Sequence, residues 1–215
     1  MQLTMIGHES WSLHAGDCHV LIDPVLGGGF GSDADRQFAI TPARNVDLQR
    51  MPAVDGIVLT TEHLQHFHPP SLRRLSSDCG HLLKRKVVYV PELFPGAAEA
   101  IVRACGYEVR RVDTQAEFVI GSLRLRFYMP FTEVLFWDSR VASLHVEHQG
   151  REAVFIQSDT RIADVYFADV NNGAVAWPQV MVMTNNFQCS GTQGPIGLDN
   201  LLALAIVQRV VLGLH

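Results

Sequence analysis

Two short, nearly continuous apolar runs constrain the fold more than any other feature of the 215-residue chain. The runs are GIVLTT at residues 56–61 and KVVYVP at residues 86–91. Such runs are typical of interior strands that are covered on both faces. Between them, Pro69 and Pro70 suit the first turn of a helix, which we predict over PPSLRRLSS. This part of the chain therefore predicts a buried strand, a helix and a second buried strand.

The rest of the chain continues a mixed pattern of strands and helices. The predicted elements, in chain order, are the strands QLTMI, WSLHA and HVLIDP, the loop GGGFGS, the helix GAAEAIVRACG closed by Gly106, the strand YEVRRV, the hairpin FVIGSLRLRFY, the hairpin SLHVEHQGREAVFIQSDT turning at Gln149–Gly150, the strand QVMVMTN, the helix LDNLLALAIVQ and the strand RVVLGLH. The pattern has no repeat and no clear linker. We therefore predict one domain over residues 1–215, an α/β sandwich of two mixed sheets with helices outside.

Composition and charge exclude some classes of partner. The net charge of −5 is mild and shows no long block of one sign, which argues against nucleic acid and anionic membranes. The apolar stretches are far shorter than the roughly 18 residues of a spanning helix, and the N-terminus lacks a signal-peptide pattern. The four cysteines, at positions 18, 79, 105 and 189, form no C-x-x-C and suit a reducing compartment. We expect a cytoplasmic protein with a small-molecule substrate, and its oligomeric state stays open.

Three histidines follow the first apolar run within a span of six residues. The stretch TTEHLQHFHPP, residues 60–70, contains His63, His66 and His68. Imidazole nitrogens are common ligands of divalent metals. The stretch therefore predicts a metal-binding loop at the end of a buried strand, the remnant of one, or a loop that is rich in histidine for other reasons.

Four landmarks of the chain resemble the metallo-β-lactamase superfamily, in the branch of lactonase-like hydrolases. The opening LTMIGHESWSLHAGDCHVLIDPVL contains the Gly7–His8 and Asp23–Pro24 pairs found early in members of this superfamily. VDGIVLTTEHLQHFH occupies the position of the metal loop, AVFIQSDT resembles the strand that ends in a metal-bridging aspartate, and QRVVLGLH resembles the last strand with its closing histidine. The resemblance covers nearly the whole chain and implies a metallo-β-lactamase-like αβ/βα sandwich.

The metal loop departs from the H-x-H-x-D-H pattern of the superfamily at two positions. Thr61 stands where the first histidine is expected, and Gln65 stands where the aspartate is expected. A threonine hydroxyl is a poor zinc ligand, and a neutral glutamine oxygen binds a divalent cation less strongly than a carboxylate does. The superfamily also uses a histidine near YMPFTEVLFWD, where the nearest oxygen ligand in this chain is Glu133.

The resemblance leaves a reduced set of candidate metal ligands, which are His63, His66, Asp159 and His215. Within this set, the two imidazoles of His66 and His215 and the carboxylate of Asp159, with open positions, form a competent catalytic zinc site and also the facial triad of non-haem iron enzymes. We expect at most one divalent metal, with zinc preferred over iron and manganese, and binding of no metal stays an alternative. His63 and Asp159 are the expected catalytic residues, with His63 acting as a ligand or general base. Asp23 would orient a ligand of the loop through a hydrogen bond.

Each candidate residue also has a structural interpretation. His63 could close a strand, and Asp159 could serve as a turn or cap residue. His8 could line the pocket or pack in the first hairpin. His68 is expected to face solvent or the prolines rather than a metal, and His215 is the last residue of the chain, where ends often fray.

Three functions are compatible with the sequence. The first is a metal-dependent hydrolase that acts on a small ester, lactone, amide or phosphoester. The second is an iron-dependent oxygenase on the same fold, because FWDSRVASLHVEHQGREAVFIQSDT also resembles the sialic-acid-nucleotide hydroxylase branch; Glu62 or Glu133 would then matter. The third is a non-catalytic member that has lost its metal and serves binding or assembly.

The altered loop predicts the metal stoichiometry. We expect elemental analysis of protein purified without added metal to give at most one tightly bound divalent ion per chain. The neutral oxygens of Thr61 and Gln65 cannot offset the charge of a second, closely spaced metal. Two tightly bound ions per chain would contradict this ligand count and would mean that Glu62, His68 or Glu133 has replaced a lost ligand.

Overall fold

Two six-stranded mixed sheets organise the chain. The computed structural model describes residues 1–30, 38–40, 46–130, 139–183 and 210–212. The chain divides into an N-terminal unit, Gln2–Arg111, and a C-terminal unit, Val112–His215, which also includes Met1. The two mixed sheets confirm the prediction for the sheets, whereas the single domain over residues 1–215 stays a prediction.

The N-terminal sheet has the strand order β1-β2-β3-β6-β7-β8. Its strands are β1 (Gln2–Gly7), β2 (Ser10–Ala15), β3 (Cys18–Ile22), β6 (Gly56–Val58), β7 (Val87–Pro91) and β8 (Glu108–Val112). The first three strands pair antiparallel, and β3, β6 and β7 pair parallel. Because the carboxyl ends of parallel strands lie at one edge of a sheet, the segments that follow β3, β6 and β7 meet at the same edge.

The described part of the N-terminal unit has two α-helices of nine residues each, α1 (Pro69–Ser77) and α2 (Gly96–Ala104), and two 3-10 helices, Leu48–Arg50 and Gly80–Leu82. The predicted start at Pro69 is confirmed for α1. Leu72 and Leu75 of α1 and Val102 of α2 are fully buried in one apolar cluster with the sheet residues Leu21 and Val88. Full burial of a leucine or valine side chain contributes about 1.5–3 kcal/mol, so this cluster fixes α1 and the loop before it.

A small additional sheet pairs β4 (Gly29–Phe30) with β5 (Phe38–Ala39). The GGGFGS segment was predicted to be a loop, and this prediction is wrong for Gly29 and Phe30, which form β4. A Cβ atom at Gly29 would lie 2.7 Å from the carbonyl oxygen of Phe38. Glycine is therefore required here because the two backbones approach so closely.

The C-terminal sheet has the strand order β14-β13-β12-β11-β10-β9. Its strands are β9 (Glu117–Ile120), β10 (Leu123–Tyr128), β11 (Ser143–His148), β12 (Glu152–Ile156), β13 (Val180–Met183) and β14 (Val210–Leu212). The hairpins β9–β10 and β11–β12 match the predicted ones, and Gln149 and Gly150 turn with positive φ angles of 55° and 64°. The predicted helix LDNLLALAIVQ lies outside the described residues.

Helix α3 (Asp164–Asn172) was not predicted from the sequence. Its Tyr166 is fully buried and stacks on Phe155 with a ring-centroid distance of 4.0 Å. The helix ends at Gly173, whose φ angle of 77° gives the left-handed C-terminal geometry that favours glycine. No side chain caps its N-terminus at Ala163, so the strongest local start signal is missing from the sequence.

A buried carboxylate holds the segment after α3 to the sheet. Glu147 of β11 accepts hydrogen bonds from the Ala176 N–H at 2.6 Å, from His145 Nε2 at 3.1 Å and from the Arg124 guanidinium. Burial by itself raises the pKa of the Glu147 carboxyl, but these hydrogen bonds and the neighbouring charge lower it to about 2. The group is therefore ionised and fully paired in the folded protein.

No helix of the described residues is long and apolar enough to cross a membrane.

The N-terminal sheet contains a histidine that is neutral in the folded state. His19 is 2% exposed; its Nδ1 donates to the Pro52 carbonyl at 3.0 Å, and its Nε2 accepts from Ser12 Oγ at 2.8 Å. Burial and the stacked His14, with ring centroids 3.8 Å apart, lower the pKa of His19 from 6.5 to about 4. Protonation of this imidazole therefore opposes folding.

We expect the free energy of unfolding to fall as the pH drops from 6.5 to about 4. Between these values the unfolded chain binds the extra proton, so the contribution of His19 is complete above the upper value and is lost towards the lower one. Urea unfolding of wild type and His19→Asn across this range measures the effect, and the variant should lose less stability. An exposed-histidine variant, His81→Asn, is the control, and an equal pH dependence in wild type and His19→Asn would contradict the assignment.

Candidate functional site

The candidate site lies at the edge of the N-terminal sheet where β3, β6 and β7 end. Asp23 follows β3, and the histidine loop at residues 60–68 follows β6. Backbone hydrogen bonds join these segments: the Asp23 N–H donates to the Val58 carbonyl at 2.9 Å, at the end of β6. The Leu59 N–H donates to the Tyr89 carbonyl of β7 at 3.0 Å. Phe67 of the loop contacts Phe94, which follows β7, edge to face at 6.0 Å. The loop is therefore held by both neighbouring segments.

The Asp23 carboxylate joins the two segments. One oxygen, Oδ1, accepts from the Thr60 N–H at 2.8 Å, and the other, Oδ2, accepts from Thr60 Oγ1 at 2.6 Å and from His66 Nδ1 at 2.8 Å. An ionised carboxylate can only accept, so Nδ1 of His66 must carry a proton. In the neutral ring, the acceptor nitrogen is then Nε2. This is the arrangement by which carboxylates orient metal-binding histidines, and it is the role predicted for Asp23.

Asp23 is held in an unusual backbone conformation. Its φ angle is 47°, in the left-handed region that is uncommon for residues other than glycine. Ser10 clamps this turn, since its hydroxyl donates to the Asp23 carbonyl at 2.7 Å and accepts from the Val25 N–H at 2.8 Å. Positive φ angles also occur at His8 and Ser158, next to two other landmarks of the sequence. Backbone strain of this kind clusters at functional sites.

Thr61 and His63 shape the turn that follows β6. The Thr61 hydroxyl is buried, donates to Glu62 Oε2 at 3.2 Å and accepts from the His63 N–H at 3.4 Å. The His63 carbonyl accepts from the N–H groups of His66 and Phe67 at 2.9 and 2.7 Å. Thr61 therefore organises the loop at the position where the superfamily has a metal-binding histidine.

His68 is tied to the Asp23 segment by a second connection. Its Nδ1 lies 2.5 Å from Ser71 Oγ, which accepts from the Leu26 N–H at 2.7 Å. A Cβ atom at Gly27 would lie 3.2 Å from His68 Cε1, so the ring packs closely against this backbone. Burial lowers the pKa of the His68 imidazole. The sequence predicted that His68 faces solvent or the prolines, and it did not predict the contact with Ser71.

Asp159 lies in the turn after β12, in the C-terminal unit. Ser158 before it has a φ angle of 58°, and Gln157 closes the turn by donating from Nε2 to the Thr160 carbonyl at 2.8 Å. The turn is attached to the sheet because Ser143 Oγ donates to the Gln157 carbonyl at 2.8 Å. Asp159 thus follows a buried strand, as expected, and its convergence with His63, His66 and His215 stays a prediction.

The side chains of the loop supply one well-oriented metal ligand rather than the ligands of a metal pair. His66, with Nδ1 bonded to Asp23, has the form of a metal-binding imidazole. Thr61 and Gln65 offer only neutral oxygens, and the Thr61 hydroxyl already has two partners. Within the described ranges no group of three His, Cys, Asp or Glu side chains has the geometry to hold a metal. His215 and Glu133 fall outside those ranges.

The chain belongs to the beta-lactamase superfamily, because the family model of the beta-lactamase superfamily domain matches residues 19–194. The isothiocyanate hydrolase from Delia radicum gut bacteria is 21% identical, with a TM-score of 0.65 over 99% of this chain and 84% of that chain. The metallo hydrolase Igni18 from Ignicoccus hospitalis is 16% identical, with a TM-score of 0.65 over 98% and 81%. A search of curated protein sequences finds no match.

A third similar structure is an oxygenase. The diiron beta-hydroxylase CmlA from Streptomyces venezuelae is 19% identical, with a TM-score of 0.61 over 85% of this chain and 34% of that chain. These likenesses confirm the predicted metallo-β-lactamase-like αβ/βα sandwich and the resemblance to the superfamily. The superfamily generally binds divalent metals. Hydrolases and a diiron hydroxylase share the fold, so the fold alone leaves the reaction open.

Sequence reasoning missed three hydroxyl side chains of the site, which are Ser10, Thr60 and Ser71. Each is buried and forms a hydrogen bond with a segment that is distant in sequence. Ser71 also has a local contact with His68. Serine and threonine occur in strands, helices and loops alike, as Ser10, Ser71 and Thr60 do here, so their presence alone carried no signal. The hint that the sequence offers is position, because Ser10 comes shortly after the Gly7–His8 pair and Thr60 and Ser71 lie in or directly after the histidine stretch.

The Thr60 hydroxyl should contribute measurably to stability. Thr60→Val keeps the shape of the side chain but leaves Asp23 Oδ2 with one donor fewer. A buried carboxylate that loses a hydrogen bond costs about 1–3 kcal/mol, so we expect urea denaturation to give a free energy of unfolding lower by that amount. Thr60→Ser retains the hydroxyl and is the matched control. Equal stabilities of the valine and serine variants would show that this hydrogen bond contributes nothing.

Proposed function

We propose that this chain is a metal-dependent hydrolase that acts on a small ester, lactone, amide or phosphoester, with at most one metal ion. The observation that carries the proposal is the buried His66 ring, which is 1% exposed and whose Nδ1 is held by Asp23 at 2.8 Å. An isolated polar ring in an apolar core would be costly to bury, and a single fixed tautomer is what a metal ligand needs. Several hydrolases of the same fold are consistent with this reading.

The metal would be held by His66, with His63, Asp159 and His215 as the further proposed ligands. A divalent ion there would supply Lewis acidity towards a carbonyl or phosphoryl oxygen. The chain itself contributes orientation: Asp23 fixes the His66 ring, while Thr60 and Ser10 fix Asp23. His63 is half-buried in the same turn, and its proposed role is that of a further ligand or of the base that accepts a proton.

An oxygenase is the second candidate, and the likeness to the diiron hydroxylase CmlA favours it. In that case iron would replace zinc, and Glu62 or Glu133 would supply a carboxylate ligand. Activity would then require iron, a reductant and oxygen, and zinc would inhibit. The replacements Thr61 and Gln65 support the third candidate, a non-catalytic member that binds no metal and serves binding or assembly.

A metal titration followed by thermal unfolding and by ester hydrolysis tests the proposal. We expect added zinc to raise the melting temperature of the wild type, because a ligand that binds only the native state stabilises it, and a chelator to reverse the effect. His66→Ala should abolish both the metal-dependent shift and the hydrolysis of a small ester such as phenyl acetate. The exposed-histidine variant His81→Ala is the matched control and should behave as wild type.

Each alternative has its own outcome in this experiment. A wild type whose melting temperature does not change with zinc, iron or chelator would contradict the hydrolase and support the non-catalytic reading. Turnover that appears only with iron, reductant and oxygen would support the oxygenase.

A further inference from the structure

The contacts of Ser71 determine the tautomer of His68. The Ser71 hydroxyl is buried and has two partners, the Leu26 N–H at 2.7 Å and His68 Nδ1 at 2.5 Å. The Leu26 N–H can only donate, so the hydroxyl oxygen accepts there. The hydroxyl proton then has one acceptor within reach among the described residues, the Nδ1 lone pair of His68. The opposite tautomer would leave a buried hydroxyl proton without an acceptor, which is costly.

His68 therefore carries its proton on Nε2. The ring is half-buried, and Nε2 has no hydrogen-bond partner among the described residues. The loop thus presents two histidines of opposite kind. His66 donates through Nδ1 to Asp23 and has its acceptor at Nε2, whereas His68 accepts at Nδ1 from Ser71 and has its donor at Nε2.

Both histidines are anchored to the same short segment after β3. His66 is bonded to Asp23, and His68 is bonded through Ser71 to Leu26, three residues further along. The close approach of Gly27 to the His68 ring confirms that this histidine is packed at the same edge of the sheet. A molecule that reaches the His66 side of the loop therefore also lies near the segment that holds His68.

We propose that His68 is a substrate-binding residue whose Nε2–H donates a hydrogen bond to the acceptor oxygen of the substrate. This inference rests on the proposed function. In ester hydrolysis, water adds to the carbonyl carbon and gives a proton to the proposed base His63, while the π electrons move to the carbonyl oxygen, where the donor stabilises the negative charge. These electrons then re-form the C=O bond as the bond to the alcohol breaks, and the alcohol leaves with the proton from His63. The His68 proton stays on Nε2 throughout, as for other neutral imidazoles that act as electrophiles. Thr61 and Gln65 offer only neutral oxygens, which bind a second metal weakly. The fixed Nε2–H of His68 would supply the stabilisation of the oxyanion that a second metal would otherwise provide.

Two substitutions separate the donor from the rest of the ring. His68→Asn keeps a polar group near Nδ1 that can bond to Ser71 but removes the donor at Nε2. His68→Gln retains an N–H donor near the Nε2 position. We expect His68→Asn to lower kcat for phenyl acetate about 10²–10³-fold, the usual cost of one oxyanion donor, with KM changed little. His68→Gln should recover a large part of the lost kcat, and equal kcat values in wild type and His68→Asn would overturn the proposal.

A second measurement is independent of activity. Nitrogen NMR of the labelled wild type at about pH 8, above the ordinary pKa of histidine, should show His68 as the Nε2–H tautomer. Ser71→Ala should shift the ring towards a mixture of tautomers. Addition of phenylphosphonate, a stable mimic of the tetrahedral oxyanion, should shift the Nε2 resonance of His68, and its Kd should rise at least 10-fold in His68→Asn.

The two measurements distinguish failure of this inference from failure of the proposed function. A wild type without hydrolytic activity that still binds phenylphosphonate through His68 would remove the hydrolase but keep the donor. An Nδ1–H tautomer of His68, or phenylphosphonate binding that is equal in wild type and His68→Asn, would overturn the donor even if the protein hydrolyses esters.

Discussion

The site depends on the buried carboxylate of Asp23. Three donors converge on it, two from Thr60 and one from His66, and both residues lie in the loop that follows β6. The backbone of Asp23 is itself held in a left-handed conformation by Ser10. A charge at this depth is tolerable only when it is fully hydrogen-bonded, so the carboxylate and its partners stabilise the fold only as a complete set. The same requirement that makes Asp23 compatible with the core also fixes the ring of His66.

A comparable carboxylate in the C-terminal unit has a different consequence. Glu147 also accepts three hydrogen bonds, but its partners are a strand residue, a half-exposed arginine and the backbone after α3. These contacts attach a helix to the sheet, and His145 is further enclosed by Tyr166 at 3.3 Å. The network therefore serves packing of this unit. Asp23 differs because it holds an imidazole in a loop that follows a parallel strand, where ligands commonly bind in sheets of this kind.

The regular elements were largely predictable from the sequence. The buried runs at residues 86–91 and 180–183, the helices beginning at Pro69 and Gly96 and the turn at Gln149–Gly150 all follow local rules. The prediction was less accurate where contacts with distant residues replace the hydrogen bonds between neighbouring strands. GIVLTT reads as one strand, yet β6 ends at Val58, because the Thr60 N–H is bonded to Asp23 Oδ1. Helix α3 lacks a capping side chain and is held by the burial of Tyr166 instead.

The sequence by itself determined most of the strands along the chain, the family landmarks and the lack of strong metal ligands at Thr61 and Gln65. These are local or compositional properties, and each can be read from neighbouring residues. The tertiary structure decided which oxygen faces which nitrogen. Asp23 and His66 lie 43 positions apart, and Leu26 and Ser71 lie 45 apart. The tautomers of His66 and His68 follow from those long-range contacts, because a ring proton is fixed by the partner that packing brings to it and the sequence does not specify that partner.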